Sequence, residues 1–403
     1  MQIGGKFMVF KKKLTSVLMA SALVIGILAG CGSKEAGSSN SKGGDTIKIG
    51  ANLELSGGVA SYGSGIAAGV ELAVDEINKS GGVDGKEIET IKVDNKSDSA
   101  EATNAATKLT SKDKVVAIIG AATSGNTVAQ AQIANETETV LISPSGTSPT
   151  VTVKEDGSVN EYVFRTAFID PFQGRVAANF ALNNLKVKNV AVYSDNSSDY
   201  AKGLAASFIE TFEEAGGKIV ANEYYVAKDN DFRSILTRIK AANPEYIFIP
   251  GYYEEVGLIV KQAREMGITV PLMGADGWDS PKLVELAGAD ALNNTYIINH
   301  YSSEDPDEKI QKFVKSFQDA NDGKSPDAFN ALGYDTVYLL VDAMKRADST
   351  TDSRKIKDAL ADTKDLSLIT GTITVDKNHH LIKSASVLEY VGGKQKFKSK
   401  VNP

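Results

Sequence analysis

Residues 115 to 147 read VVAIIGAATSGNTVAQAQIANETETVLISPSGT, and this stretch decides the fold. An apolar, β-branched run from Val115 to Ile119 turns directly into Gly120-Ala121-Ala122-Thr123-Ser124-Gly125. A helical pattern over Val128 to Asn135 follows, then a second apolar run from Val140 to Ile142, then Ser143-Pro144-Ser145-Gly146-Thr147. Short continuous apolar runs are the mark of strands covered on both faces, and a helix between two of them makes the strands parallel.

The same alternation extends in both directions. Strands are expected at Ile47 to Ile49, Ile88 to Val93, Val190 to Tyr193, Ile219 to Tyr225, Tyr246 to Ile249 and Thr295 to Ile298. Helical stretches separate them: Gly65 to Asn78, Glu101 to Leu109, Phe172 to Asn183, Gly203 to Glu214, Ile235 to Ala241 and Val256 to Met266. In the first helix Ile66, Val70, Ala73, Val74 and Ile77 share one face, which must lie against a sheet. The alternation runs twice, with a break near Arg165-Thr166-Ala167, after which Pro171 opens a helix at its favoured first turn. The expected fold class is therefore α/β, two lobes with parallel sheets. Helices at Glu308 to Asp319 and Ala328 to Ala347 and strands at Thr372 to Val375 and Ser386 to Tyr390 complete the chain, and periodicity does not assign them to either lobe.

The first thirty residues read as an address. Lys11, Lys12 and Lys13 precede an uncharged apolar run, Leu14 to Leu28, too short to span a bilayer comfortably. Leu28-Ala29-Gly30-Cys31 then resembles a bacterial lipobox, which implies that Cys31 becomes the first mature residue and carries the lipid, with Met8 a candidate start. Residues 1–30 are thus expected to be a lipoprotein signal peptide. Residues 31–45, mostly Gly, Ser, Lys and Asn, cannot bury a core and form a flexible tether. Cys31 is the only cysteine among 403 residues, so the mature domain makes no internal disulfide. Without the leader the chain carries 40 basic and 51 acidic side chains, a balance of −11 that disfavours nucleic acid and anionic lipid as partners.

Catalytic equipment is sparse. The three histidines, His300, His379 and His380, lack metal-ligand spacing and are expected at the surface, and no G-x-S-x-G elbow occurs. Gly63-Ser64-Gly65-Ile66-Ala67-Ala68 fits a dinucleotide fingerprint, but about a dozen residues separate its glycines from the preceding strand, too slack a loop to hold a pyrophosphate on a helix. No cofactor, no metal and no enzymatic activity are expected.

Binding features stand out instead. The loops 120–125 and 143–147 leave the carboxyl ends of parallel strands, and their small residues, free N–H groups and the Ser124 and Thr147 hydroxyls suit a carboxylate. Such loops also serve as caps and turns. In the second half Gly251-Tyr252-Tyr253-Glu254-Glu255 and Gly274-Ala275-Asp276-Gly277-Trp278 follow strands in the same way. An aspartate among aromatic side chains can pair an ammonium, although an aspartate such as Asp276, taken alone, is more often a helix cap or turn former.

At these residues the chain resembles the branched-chain amino-acid binding proteins of ATP-driven importers, type I periplasmic binding proteins, from about Thr46 to Val391. The resemblance is carried by Gly57-Gly58-Val59-Ala60-Ser61-Tyr62-Gly63, by Ile142-Ser143-Pro144 with Thr147, by Arg165-Thr166-Ala167, by Gly251-Tyr252-Tyr253 and by Gly274 to Gly277. It implies two Rossmann-like lobes joined by three crossovers, near Ala167, His300 and Ser384. Lobe 1 would take residues 46–167 plus 301–383, and lobe 2 residues 168–300 plus 384–403. It also implies a ligand site. Ser124 and Thr147 match carboxylate-binding hydroxyls, with Ala122, Thr123, Ser145 and Gly146 beside them. Asp276 matches an acid, commonly glutamate, that receives the α-ammonium, and Tyr62, Tyr200, Tyr252 and Phe329 match the aromatic walls. Ser97 and Thr123 stand where some relatives have a disulfide-bonded cysteine pair. The implied function is capture of leucine, isoleucine or valine outside the cell by a lipid-anchored monomer on the extracytoplasmic face of the cell membrane. Delivery to a permease and ATPase would follow. Other amino acids, short amides, urea or aromatic acids, bound for sensing, are the alternative.

Overall fold

A computed structural model describes residues 46–403, so the leader, Cys31 and the tether lie outside the described residues. The first part of the chain is β1 (Ile47–Leu53), α1 (Ala60–Lys79), β2 (Ile88–Asp94), α2 (Ser99–Ser111), β3 (Ala117–Gly120), α3 (Ser124–Glu136), β4 (Val140–Ser143) and β5 (Val163–Arg165). Its five strands form one sheet in the order β2-β1-β3-β4-β5, every pair parallel. Strands β3 and β4 are buried along their whole length, as their uninterrupted apolar runs require.

The second part comprises α4 (Asp170–Phe180), β6 (Asn189–Asp195), α5 (Asp199–Glu214), β7 (Lys218–Tyr225), α6 (Arg233–Ala241), β8 (Tyr246–Phe248), α7 (Tyr253–Glu265), β9 (Leu272–Gly274), α8 (Pro281–Ala287) and β10 (Thr295–Asn299). After these come α9 (Glu308–Ala320), α10 (Ala328–Arg346), α11 (Ser353–Ala361) and a small antiparallel sheet of β11 (Leu366–Leu368), β12 (Gly371–Val375) and β13 (Leu381–Ile382). Finally β14 (Ala385–Val391) and β15 (Lys394–Val401) join the second sheet, whose order is β15-β14-β10-β9-β8-β6-β7.

That second sheet is parallel from β7 to β10, as expected, and antiparallel at β14 and β15, the late strands that periodicity left unassigned. The cause is local. Gly392 and Gly393 both take positive φ, +57° and +76°, and so turn β14 straight back into β15 as a two-residue hairpin.

Helix α10, although late in the chain, packs on α1 of the first lobe. Two glycines permit the close crossing: a Cβ on Gly69 would lie 2.0 Å from the Asn330 carbonyl oxygen, and one on Gly333 would lie 2.3 Å from that of Ile66. The chain therefore leaves the first sheet after β5, returns to pack α10 on α1 after β10, and rejoins the second sheet at β14. Helix α1 starts at Ala60, five residues before the expected Gly65, so Gly63 and Gly65 lie inside it. The dinucleotide fingerprint fails because its glycines pack a helix rather than open one. A Cβ on Gly63 would lie 2.1 Å from the Glu54 carbonyl oxygen.

Candidate functional site: the cleft between the lobes

The first-lobe face is built from the loops after β1, β3 and β4. Glu54, directly after β1, is wholly buried and its carboxylate is wrapped by the start of α3. It accepts from the amides of Ala122 (2.9 Å) and Thr123 (3.1 Å), the Thr123 hydroxyl (2.8 Å) and Asn126 Nδ2 (2.9 Å). An internal anion thus already occupies part of the helix N-terminus that the sequence offers to a ligand. The Gly146 amide donates to Ser143 Oγ (2.9 Å) and the Ser145 hydroxyl to the Ala122 carbonyl (2.7 Å). Arg165 braces this loop from behind, donating to the Gly146 and Ser148 carbonyls (2.8 and 2.9 Å) and to Thr152 Oγ1 (3.0 Å). Burial lowers its pKa to about 10, so it stays charged. Ser124 Oγ accepts from the Ser148 amide (3.1 Å), which leaves its own O–H to donate.

The second-lobe face centres on Asp276, in the short 3₁₀ turn after β9. Its Oδ1 accepts from the Tyr200 hydroxyl (2.8 Å) and Gln173 Nε2 (3.0 Å), and its Oδ2 lies 3.0 Å from His300 Nε2. Gln173 also accepts from the Asp276 amide (3.2 Å), and Tyr200 from the Gly277 amide (2.9 Å). Burial lowers the His300 pKa to about 4 despite the opposing bond to Asp276, so the ring is neutral and the tautomer consistent with this bond carries its proton on Nε2. Phe168 stacks on that ring at 3.8 Å between centroids.

Asp170, the first residue of α4, is wholly buried and neither carboxyl oxygen has a hydrogen-bond partner. Its amide donates to the Thr147 carbonyl across the first crossover (3.0 Å). Burial pushes the acid well above the usual carboxylate range and the charge of Asp276 adds to it, while the nearby Thr147 hydroxyl, outside hydrogen-bonding geometry, and the Arg165 charge oppose it.

Between the faces lies a narrow cavity lined by Tyr62, Ala122, Thr123, Ser124, Ser145, Tyr200, Tyr252, Asp276, Gly277 and Phe329. Tyr62 stacks on Phe329 (4.2 Å) and Tyr200 on Tyr252 (5.1 Å, planes 4° apart), while Tyr62 meets Tyr252 edge-on. The result is an aromatic box that shields apolar groups. Tyr62 also closes the cleft: its hydroxyl donates to the Gly277 carbonyl and accepts from the Tyr253 amide. Larger depressions exist, one by α9 and α10 and a groove along the seam, but neither combines the aromatic walls with Asp276.

Nine of the eleven expected ligand residues line this one cavity. Gly146 and Thr147 are not part of its lining, and the amides of Ala122, Thr123 and Gly146 are engaged within the protein. His300 corrects the surface reading of the histidines: it is 2% exposed because the second crossover runs beneath Asp276. His379 is part-buried too, stacked on Phe164. Glu54, Asp170, Gln173 and His300 were missed. Glu54 sits at a strand's carboxyl end, and Gln173 lies one helical turn after Asp170, the only local signals available. Among the described residues no group of three or more His, Cys, Asp or Glu side chains could hold a metal ion.

The sequence pattern of the periplasmic binding proteins matches residues 46–395. The chain belongs to that family. A branched-chain amino acid transporter substrate binding protein from Streptococcus pneumoniae, solved with isoleucine, is 41% identical, with a TM-score of 0.83 over 89% of this chain and 100% of that one. A leucine binding protein from Thermotoga maritima is 36% identical, also with a TM-score of 0.83, over 89% and 99%. A Leu/Ile/Val-binding protein of Rhizobium johnstonii is 30% identical over 352 residues, 86% of this chain and 92% of the relative.

Proposed function

We propose that this protein is the solute-binding component of an ABC importer and captures a branched-chain α-amino acid, leucine, isoleucine or valine, between its closing lobes. The supporting observation is Asp276, a carboxylate held by Tyr200, Gln173 and His300 yet facing a cavity walled by four aromatic rings, with the Ser124 hydroxyl opposite. A zwitterion fits this division. Its ammonium goes to Asp276 and Asp170, its carboxylate to Ser124, Thr147 and the first turn of α3, and its aliphatic side chain to the box.

Lobe 1 is assigned residues 46–167 and 301–383, and lobe 2 residues 168–300 and 384–403. Closure desolvates both ligand charges, so a ligand lacking either leaves buried groups unpaired, which makes selection for free α-amino acids sharp. Lipid on Cys31 and the 31–45 tether hold a monomer at the extracytoplasmic face, beside the permease and ATPase that receive the ligand. Among the described residues no helix is long and apolar enough to cross a membrane.

Calorimetric titration of the purified protein with the amino acids, urea, short amides and benzoate tests this reading. Tight binding of an aliphatic amino acid is expected, weakened at least about 100-fold in Asp276→Ala. Binding of benzoate or an amide with no amino acid bound would overturn both the ligand class and the role of Asp276.

A further inference from the structure

Asp279, three residues past Asp276, reaches across the lobe seam. Its Oδ2 accepts from the amide of Ala328, the first residue of α10, at 2.8 Å. The same oxygen accepts from Asn299 Nδ2 (2.8 Å), and Oδ1 from Gln395 Nε2 (2.5 Å). Asn299 and Gln395 belong to β10 and β15 of the second lobe, whereas α10 packs on α1 of the first. A carboxylate fixed by one lobe therefore caps a helix of the other.

That helix already carries an acid at its N-cap. Asp327 Oδ1 accepts from the Asn330 amide (3.0 Å), and Asn330 Oδ1 accepts in return from the Asp327 amide (2.8 Å), a complete capping box. Two carboxyl groups, one from each lobe, thus meet at one helix end, and among the described residues neither has a salt-bridge partner. The contact adjoins the ligand cavity on both sides: Gly277 lines it two residues before Asp279, and Phe329 two residues after Asp327.

We propose that Asp279 and Asp327 form a proton-dependent latch across the seam, in which closure seats Asp279 on α10 beside Asp327 and the pair closes with a proton bound. This rests on the reading of the protein as a closing-lobe binder. Burial raises both groups above the usual carboxylate range, and at Asp327 the charge of Asp279 adds to it. Asp276 adds to the effect at Asp279, and the bonds from Asn299, Ala328 and Gln395 oppose it. The other titratable groups facing the pair are the Tyr301 and Tyr390 phenols, held neutral by burial, and Lys282, Glu285 and Lys324, which line the outer groove with Asp327. Lys282 is paired with Glu285 (2.6 Å).

The sign follows. With the lobes apart both acids are solvated and ionised near neutrality, and closing raises their affinity for a proton. Closure, and ligand affinity with it, strengthens as pH falls below the closed-form values and weakens as pH rises through them.

The test is leucine titration of the wild-type protein and of Asp327→Asn between about pH 6 and about pH 8.5, a range in which leucine stays zwitterionic, in buffers of differing ionisation enthalpy. Asparagine is an equally good N-cap and removes one charge. The variant is expected to take up fewer protons per leucine than the wild type, and to bind several-fold more tightly at the alkaline end while matching it at the acid end. Asp170 and His300 are present in both proteins, so the difference isolates the latch. An unchanged proton count and pH profile in Asp327→Asn would overturn it. If leucine does not bind at all, the functional reading fails instead. The latch is then tested by small-angle scattering of the ligand-free proteins, where closure that responds identically to pH in both also overturns it.

Discussion

Glu54 and Asp170 are both wholly buried acids at the cleft, one on each lobe, and they are built in opposite ways. Glu54 is met by four donors, all from its own lobe. Asp170 is met by none. A buried carboxylate with its hydrogen bonds filled belongs to the scaffold, since it fixes the loops that surround it. One left without partners is costly, and the cost is recovered only when a donor arrives. The first-lobe face is therefore a finished surface on which a ligand can settle, and the second-lobe face becomes complete when an ammonium enters. Asp276 lies between these extremes, oriented by three neighbours and still facing the cavity.

The strongest way to break this comparison is Glu54→Ala. Removing the acceptor leaves the Ala122 and Thr123 amides, the Thr123 hydroxyl and Asn126 without a partner in the interior. A loss of about 3 kcal/mol in folding stability is expected in denaturant unfolding, with the folded fraction still binding amino acid. Intact stability with abolished binding would instead make Glu54 a ligand group and reverse the contrast.

Asp170→Asn sharpens the other side. The amide keeps the shape but cannot form an ion pair, so affinity for the amino acid is expected to fall about tenfold. The ligand-free protein should change in the other direction. Because the folded state raises the Asp170 pKa, its contribution to stability is greatest below the ordinary carboxylate range and declines as pH rises through the folded value. The variant lacks that decline. Its thermal midpoint relative to wild type should climb between acid and neutral pH, and parallel curves would remove Asp170 from the titrating groups.

Much of the fold could be read from residue patterns because buried parallel strands are apolar without interruption. Runs such as Val140–Ser143 and Thr295–Asn299 admit no other placement once helices flank them. What escaped was short or polar. Helix α8 has seven residues, α11 opens Ser-Arg-Lys, and β15 alternates lysines along a solvent-facing edge, so none shows a continuous apolar signal. The site divides similarly. Asp276 and Tyr252 were visible at strand ends, and the resemblance added Tyr62, Tyr200 and Phe329. Whether an amide or hydroxyl in a loop is free is decided by partners distant in sequence, as with Glu54 and Ala122, 68 residues apart. Composition and periodicity carry no trace of such a pairing.

Two serines of the first-lobe face give the finest version of the same contrast. Ser124 and Ser145 both line the cavity. The Ser124 hydroxyl receives the Ser148 amide and keeps its proton for a ligand, whereas the Ser145 hydroxyl is committed to the Ala122 carbonyl. A hydrogen bond to a charged group contributes about 1.5 kcal/mol or more, so Ser124→Ala should weaken amino-acid binding by about tenfold. Ser145→Ala should reduce folding stability by about 1 kcal/mol and leave affinity nearly unchanged. Calorimetry and denaturant unfolding on the same two variants separate these outcomes. Equal losses of affinity would mean that the loop after β4 rearranges when ligand binds, releasing Ser145 to join the carboxylate site.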